Sequence, residues 1–200
     1  MVALPDRLLM TYEEYIAWES TQEMRHEFCD GEVIAMASGT RDHNRVSLNF
    51  SKILDNALAD RPCEVYIADV KVQVKPKSKY FYPDVVVTCD ERDRNDALVV
   101  AFPCLIIEVL SPSTEGFESL SETLRERGFK FSQYRQFDTL QEYVLVQVEQ
   151  PVVEVFQRNE QGQWVFFEYG LGDRLFLKSV NVEIAVSDLY QQIQFEQKTE

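Results

Sequence analysis

At 200 residues the chain has the length of one globular domain, able to bury a full sheet with helices on it. Hydrophobic residues at 45% and charged residues at 27% describe a folded domain, and no apolar run approaches the length of a membrane-spanning helix. With 20 basic against 34 acidic residues the formal net charge is −14, which excludes a protein that coats nucleic acid by bulk electrostatics.

Met1 to Leu9 is too short and too mixed for a signal peptide, so a cytoplasmic protein is expected. Thr11-Tyr12-Glu13-Glu14 has capping-box spacing and opens a short helix through about Trp18. Asp30-Gly31 is a hairpin turn between two short strands, Arg25 to Cys29 and Glu32 to Met36. From Asp42 to about Ala59, Val46, Phe50, Ile53, Leu54, Ala57 and Leu58 recur at helical spacing, which predicts a core-facing amphipathic helix. Strands follow over Cys63 to Val74, Tyr80 to Thr88 and Cys104 to Leu110, with a turn at Lys77-Ser78 and a polar loop from Asp90 to Asp96. On one strand, Lys71, Lys75, Lys77 and Lys79 would share a face with Gln73, either as a solvated or edge-protecting face or as a phosphate-contacting ribbon.

Ser111-Pro112-Ser113-Thr114 ends the third strand and caps a helix from Glu115 to about Phe137. That helix carries Phe117, Leu120, Leu124 and Phe131 on one stripe, with Lys130 at its edge and Tyr134 one turn further on. Glu118, Glu122 and Glu126 form an acidic row read as solvated surface. Strands over Glu142 to Val148, Val152 to Gln157 and Trp164 to Tyr169 come next, with a turn at Asn159 to Gly162, and Ser187-Asp188 caps a last short helix to about Ile193. No linker, repeat or charge tail divides the chain, so residues 1–200 read as one domain of α/β (α+β) class, a mixed central β-sheet flanked by helices.

Two strand acids stand out. Asp84 opens Val85-Val86-Val87, and Glu108 sits inside Leu105-Ile106-Ile107-Glu108-Val109-Leu110. A carboxylate in so apolar a run needs a partner, and a hard divalent cation bound through oxygen is one such partner. If the two strands are adjacent, the acids could hold Mg²⁺ while leaving room for water and a phosphate oxygen, with Lys130 placed to orient the water or offset developing negative charge. Strand acids paired with arginine and a solvated helix lysine are the ordinary alternative. Cys29, Cys63, Cys89 and Cys104 form no C-x-x-C pair, and only His26 and His43 could join them, so a zinc knuckle is not indicated and four reduced, buried thiols are expected. There is no G-x-S-x-G segment and no P-loop.

Tyr-Pro-Asp-Val-Val-Val at 82–87, Ile-Glu-Val-Leu-Ser-Pro-Ser-Thr at 107–114 and Arg-Gly-Phe-Lys-Phe at 127–131 with Tyr134-Arg135 closely resemble the Uma-two family of restriction endonuclease-like proteins, within the PD-(D/E)XK nuclease superfamily. The likeness runs from Thr11-Tyr12-Glu13-Glu14-Tyr15, through Arg25-His26-Glu27, Asp30-Gly31-Glu32 and His43, to Leu140-Gln141-Glu142-Tyr143. It implies a restriction endonuclease-like fold, Mg²⁺ or Mn²⁺ as cofactor and DNA as substrate. Asp84 and Glu108 match the metal-binding acids, the carbonyl of Val109 a further ligand, and Lys130 the catalytic lysine moved from the position of Leu110 onto the following helix. Glu27 and His43 match recurrent positions, as an accessory acid and as a substrate or orienting contact, although His43 also fits a helix N-terminal residue with a local hydrogen bond. Two departures stand against this pattern. Phe129 occupies a place where the family often has an acid, and Phe117 to Glu126 is longer than the usual loop. If that insertion lengthened the helix, each residue would add about 1.5 Å and carry Lys130 away from the acids, whereas a bulged insertion would leave the site intact. A nuclease fold without catalysis, acting as a nucleic-acid-binding or protein-interaction module, is the competing expectation. A homodimer could form through Tyr143 to Tyr169.

Overall fold

Strong turn signals break the strands into short pieces, and at two of these breaks the chain passes from one sheet to another. The computed structural model describes residues 8–36, 39–110 and 125–195. In the first sheet, strands β1 (Leu8–Leu9), β2 (His26–Cys29), β3 (Glu32–Ala35), β5 (Lys71–Lys75), β6 (Lys79–Phe81) and β8 (Val99–Val100) lie in the order β1-β3-β2-β6-β5-β8. In the second, β4 (Glu64–Ile67), β7 (Val85–Thr88), β9 (Pro103–Leu110), β10 (Glu142–Gln147), β11 (Val153–Arg158) and β12 (Trp164–Tyr169) lie in the order β12-β11-β10-β9-β7-β4. A separate hairpin pairs β13 (Arg174–Leu177) with β14 (Val182–Ala185).

The expected strands over Cys63 to Val74 and Tyr80 to Thr88 are each split between the two sheets. Ala68, with φ 49°, turns the chain between β4 and β5. Pro83 lacks an amide donor and restricts Tyr82 before it, so β6 ends at Phe81 and β7 begins after Asp84. The two crossings are tied together, since the Ala68 N–H donates to the carbonyl of Asp84 at 3.1 Å. The lysine face does not survive this arrangement: β5 is bulged between Gln73 and Lys75, Lys77 lies in a turn at φ 58°, and Lys79 starts β6. Lys71 instead lays its ammonium 5.7 and 5.8 Å from the ring centres of Tyr15 and Tyr82.

Helix α1 (Tyr12–Glu19) has the expected capping box, with Thr11 and Glu14 bonding each other's backbone amides. Helix α2 (Arg41–Leu58) is capped by Thr40 and buries Val46, Phe50, Leu54 and Leu58 against Val85, Val87, Leu105, Ile107, Val144 and Val146 of the second sheet. The opposite face of that sheet, with Val86, Ile106, Leu110, Tyr143 and Leu145, packs with Val72 and Phe81 of the first sheet and with Tyr134. A π-helical turn (Arg125–Lys130) runs directly into α3 (Phe131–Tyr134). The Ser-Pro-Ser-Thr segment, Phe117, Leu120, Leu124, Glu118 and Glu122 lie outside the described residues.

Three further expectations are corrected. The last helix, α4 (Val186–Leu189), begins after Ala185 with no side-chain cap, because Ser187 and Asp188 fall inside it. The β13–β14 hairpin ahead of it was not foreseen; alternating Leu175, Leu177, Val182 and Ile184 bury its inner face, and buried Glu142 accepts the amides of Lys178 and Ser179 at its turn. Cys63 and Cys89, at the start of β4 and just beyond the end of β7, form a disulfide across this antiparallel pair rather than remaining thiols. Cys29 and Cys104 are free, and the Cys104 Sγ lies 3.8 Å from that of Cys89. Of the stretch Tyr143 to Tyr169, only β12 is a sheet edge, and it exposes Val165, Phe166 and Phe167.

The disulfide closes a 26-residue span that includes the crossings at Ala68 and Pro83, and its loss releases about 3 kcal/mol of unfolded-state constraint. Cys89→Ala is therefore expected to shift the urea midpoint downward, and added reductant to lower the wild-type midpoint to a similar degree while leaving the variant unmoved.

Candidate active site

Asp84 and Glu108 are cross-strand neighbours by construction. Strands β7 and β9 are antiparallel, with Val85 opposite Ile107 and Val86 opposite Ile106, so the register carried one residue further sets Asp84 opposite Glu108. Both then point to the face of the second sheet that meets the first, on the side of Val86 and Ile106. Asp84 is held tightly: one carboxylate oxygen accepts the Val109 amide at 2.7 Å and the other lies 3.1 Å from Nε2 of His43. Tyr82, two residues earlier, is anchored by its hydroxyl donating to Glu19 at 3.1 Å.

Glu108 is 3% exposed and sits in a closed cluster of charge. The Lys130 ammonium, also 3% exposed, lies 2.9 Å from Glu27, 3.0 Å from Glu108 and 3.1 Å from Glu126. The Tyr134 hydroxyl donates to the same Glu108 oxygen at 2.9 Å. Glu27 comes from β2 of the first sheet, Glu108 from β9 of the second, and Glu126 with Lys130 from the π-helical turn. Wider i→i+5 hydrogen bonding in such a turn lets Glu126 and Lys130 both face inward, and it recurs at functional sites. The feared displacement of Lys130 does not occur.

Burial pushes the Glu108 carboxyl well above the usual carboxylate range, and the nearby charges of Glu126, Asp84 and Glu27 add to the rise while Lys130 opposes it. Burial likewise raises the Tyr134 hydroxyl, with Glu108 the leading charged contributor, so Tyr134 remains a donor. Four carboxylates thus share one lysine and one histidine. That surplus of hard oxygen donors fits a hard divalent cation. Among the described residues no three His, Cys, Asp or Glu side chains stand where they could jointly hold a metal ion. Mg²⁺ is commonly bound by one or two carboxylates completed by water and phosphate.

The six side chains singled out from the sequence lie here: Glu27, Glu108, Lys130 and Tyr134 meet in the cluster, Asp84 lies opposite Glu108 in the register, and His43 touches Asp84. Glu126 was placed on a solvated row and is instead buried, 7% exposed, one turn before Lys130. Its spacing of four from Lys130 was the available signal. Phe129, one departure from the resembled pattern, is 38% exposed and sets its ring edge-on to Phe81. Other buried acids serve the fold: Glu19 accepts from Tyr82 and His26, and Asp93 from Thr88, Ala101 and Phe102.

Comparison with known proteins shows the family and the fold. A family model described as "Uma2: Putative restriction endonuclease" matches residues 12–187. The "uncharacterized protein slr1290" of Synechocystis is 38% identical over 183 residues, covering 92% of each chain. A second Synechocystis relative, "uncharacterized protein sll1609", is 33% identical over 170 residues, 84% of this chain and 92% of that protein. In structure, the chain is similar to the crystal structure of "a putative nuclease belonging to DUF820" from Anabaena variabilis, with a TM-score of 0.69 over 92% of this chain and 99% of the other, at 13% sequence identity, a likeness of fold.

Removing the lysine would leave Glu27, Glu108 and Glu126 buried without their shared cation, a change that costs about 3–5 kcal/mol. Lys130→Met is expected to lower the unfolding free energy by that amount at neutral pH. Because the folded-state pKa of Glu108 is already raised, proton uptake favours the folded form, so the deficit should narrow as pH falls. Chemical denaturation at two pH values checks both the size and the sign.

Proposed function

The chain belongs to the Uma2 family of restriction endonuclease-like proteins, and from that premise we propose that it is a divalent-metal-dependent nuclease that hydrolyses phosphodiester bonds in DNA. The observation that carries the reading is the cross-strand pair Asp84 and Glu108 with the Lys130 ammonium 3.0 Å from Glu108. Mg²⁺ or Mn²⁺ held by the two carboxylates, with the Val109 carbonyl as a further oxygen donor, would polarise a phosphoryl oxygen and make bound water a better nucleophile.

Each side chain then has a defined task. Asp84 presents its oxygens in one orientation because the Val109 amide and His43 fix them from two sides. Glu108 has one oxygen fixed at the centre of the cluster because Lys130 and Tyr134 both donate to it. Lys130 would set positive charge beside Glu108 to offset negative charge growing on the phosphoryl oxygens, and being fixed beforehand it would need no reorganisation. Glu27 and Glu126 hold the ammonium in place from the sides away from Glu108.

A second reading, a nuclease fold that binds without cutting, is favoured by one observation: Lys130 already neutralises Glu108, so the cluster is held together without any further cation. Calorimetry with Mn²⁺ separates the two. The wild type is expected to bind, and an Asp84→Ala/Glu108→Ala variant of matched circular dichroism to lose binding; Asp84→Ala alone should abolish DNA cleavage without unfolding the protein. Full cleavage by the Asp84→Ala variant would remove the assignment of the site.

A further inference from the structure

A second polar site adjoins the first on α2 and is used by nothing described so far. Thr40, Arg41, Asp42, Arg45, Gln192 and Gln194 line a cavity of about 560 Å³. Arg41 and Arg45 are four residues apart and so share one face of the helix, with Asn49 next in the same row. The Asn49 amide donates to the carbonyls of Leu189 and Gln191, both at 3.0 Å, and this clamp holds the C-terminal segment over the helix as the cavity's second wall. The wall therefore stands independently of the two arginines.

Several arginines are neutralised by a carboxylate, and among the described residues the two in the cavity are not. Arg25, Arg92, Arg127 and Arg174 each pair with a carboxylate. Among the described residues, Arg41 and Arg45 have no such partner, and both line the same cavity. Asp42 also lines it, so two guanidiniums face one carboxylate and the local sign is positive in a chain of net charge −14. Guanidinium forks match the oxygens of a phosphate in geometry as well as in charge, and the amides of Gln192 and Gln194 can add neutral donors. Position selects among phosphate ligands. His43, between the two arginines in sequence, faces the other way and touches Asp84. The arginine pair and the metal-site acid thus lie on opposite sides of one helix end, separated by about 10 Å, which spans roughly three nucleotides of a strand.

Resting on the nuclease reading above, we propose that Arg41 and Arg45 form a subsite for a backbone phosphodiester of the nucleic-acid substrate, a few nucleotides from the phosphate that meets Asp84 and Glu108. The subsite positions the strand and reads no base. It supplies the local attraction that the acidic protein otherwise lacks.

Fluorescence anisotropy with labelled duplex DNA, single-stranded DNA and RNA, in Ca²⁺ and again in EDTA over a range of salt, tests this. Arg41→Gln/Arg45→Gln is compared with wild type and with a charge-matched control, Arg94→Gln/Lys178→Gln, whose side chains do not line the cavity. The expected result is a loss of about tenfold or more in affinity, with the slope of log affinity against log salt reduced by about two, in the arginine variant only. Asp42→Asn should tighten binding in the same assay. If the arginine variant and the control bind alike, the subsite is overturned while the nuclease reading stands. If wild type binds no nucleic acid in either buffer, the nuclease reading and the subsite fall together. Titration with inorganic phosphate, followed through the arginine Nε resonances, covers the remaining case: a response at Arg41 and Arg45 with nucleic-acid affinity unchanged in the variant would make the cavity a free-anion site and overturn the backbone assignment. Both substitutions lie at the surface, and matched thermal melts confirm that the folds compared are equivalent.

Discussion

One ammonium group holds the two sheets in their working relation. Lys130 bonds Glu27 of the first sheet, Glu108 of the second and Glu126 of its own helical turn, all within about 3 Å. Each of these carboxylates would be expensive to bury alone, and the lysine would be as well. Together they form an arrangement in which no member can be withdrawn without stranding the others. The sheets are therefore fixed to each other at the site itself, and the geometry of Asp84 against Glu108 is inherited from that junction.

The crossings between sheets serve the same end. Tyr82-Pro83-Asp84 is both the passage from β6 to β7 and the segment that presents the first acid. Proline ends one ladder, the Tyr82 hydroxyl is anchored on Glu19, and the amide of Val109 takes up the carboxylate on the other side. A carboxylate at a strand start has fewer ladder neighbours than one inside a strand, which is why Asp84 keeps some access to solvent while Glu108 is enclosed. The pair thus joins one enclosed acid, whose charge the protein controls, to one acid at the rim, which a ligand can approach.

Much of this was legible in the sequence, and the limits are instructive. The capping box at Thr11, the Asp30-Gly31 turn, the stripe of α2 and the two acids are local signals, and local physics made them so. The division of residues 63–88 between two sheets was not legible, because each strand is only three to five residues long and apolar, β-branched or aromatic residues stand on both sides of Ala68 and Pro83. Glu126 was misplaced because helical spacing aligned it with Glu118 and Glu122, whereas a π-helical turn reorients it. The Cys63–Cys89 disulfide depends on the pairing of β4 with β7, a contact set by topology rather than by any spacing of cysteines. Likewise the hairpin β13–β14 is too short to announce itself, and it becomes stable by covering the end of a core that other segments build.

The order of the charges along the chain has a consequence for synthesis. Glu27, Asp84, Glu108 and Glu126 all precede Lys130, so a growing chain displays four acids of the cluster before the one cation that reconciles them exists. Until residue 130 is made, the acids that meet at the site lack the cation they share. The central strand β10, which follows at Glu142–Gln147, then arrives to complete the second sheet against β9. The cluster can therefore be completed only after residue 130 has been made, with β10 closing the second sheet behind it.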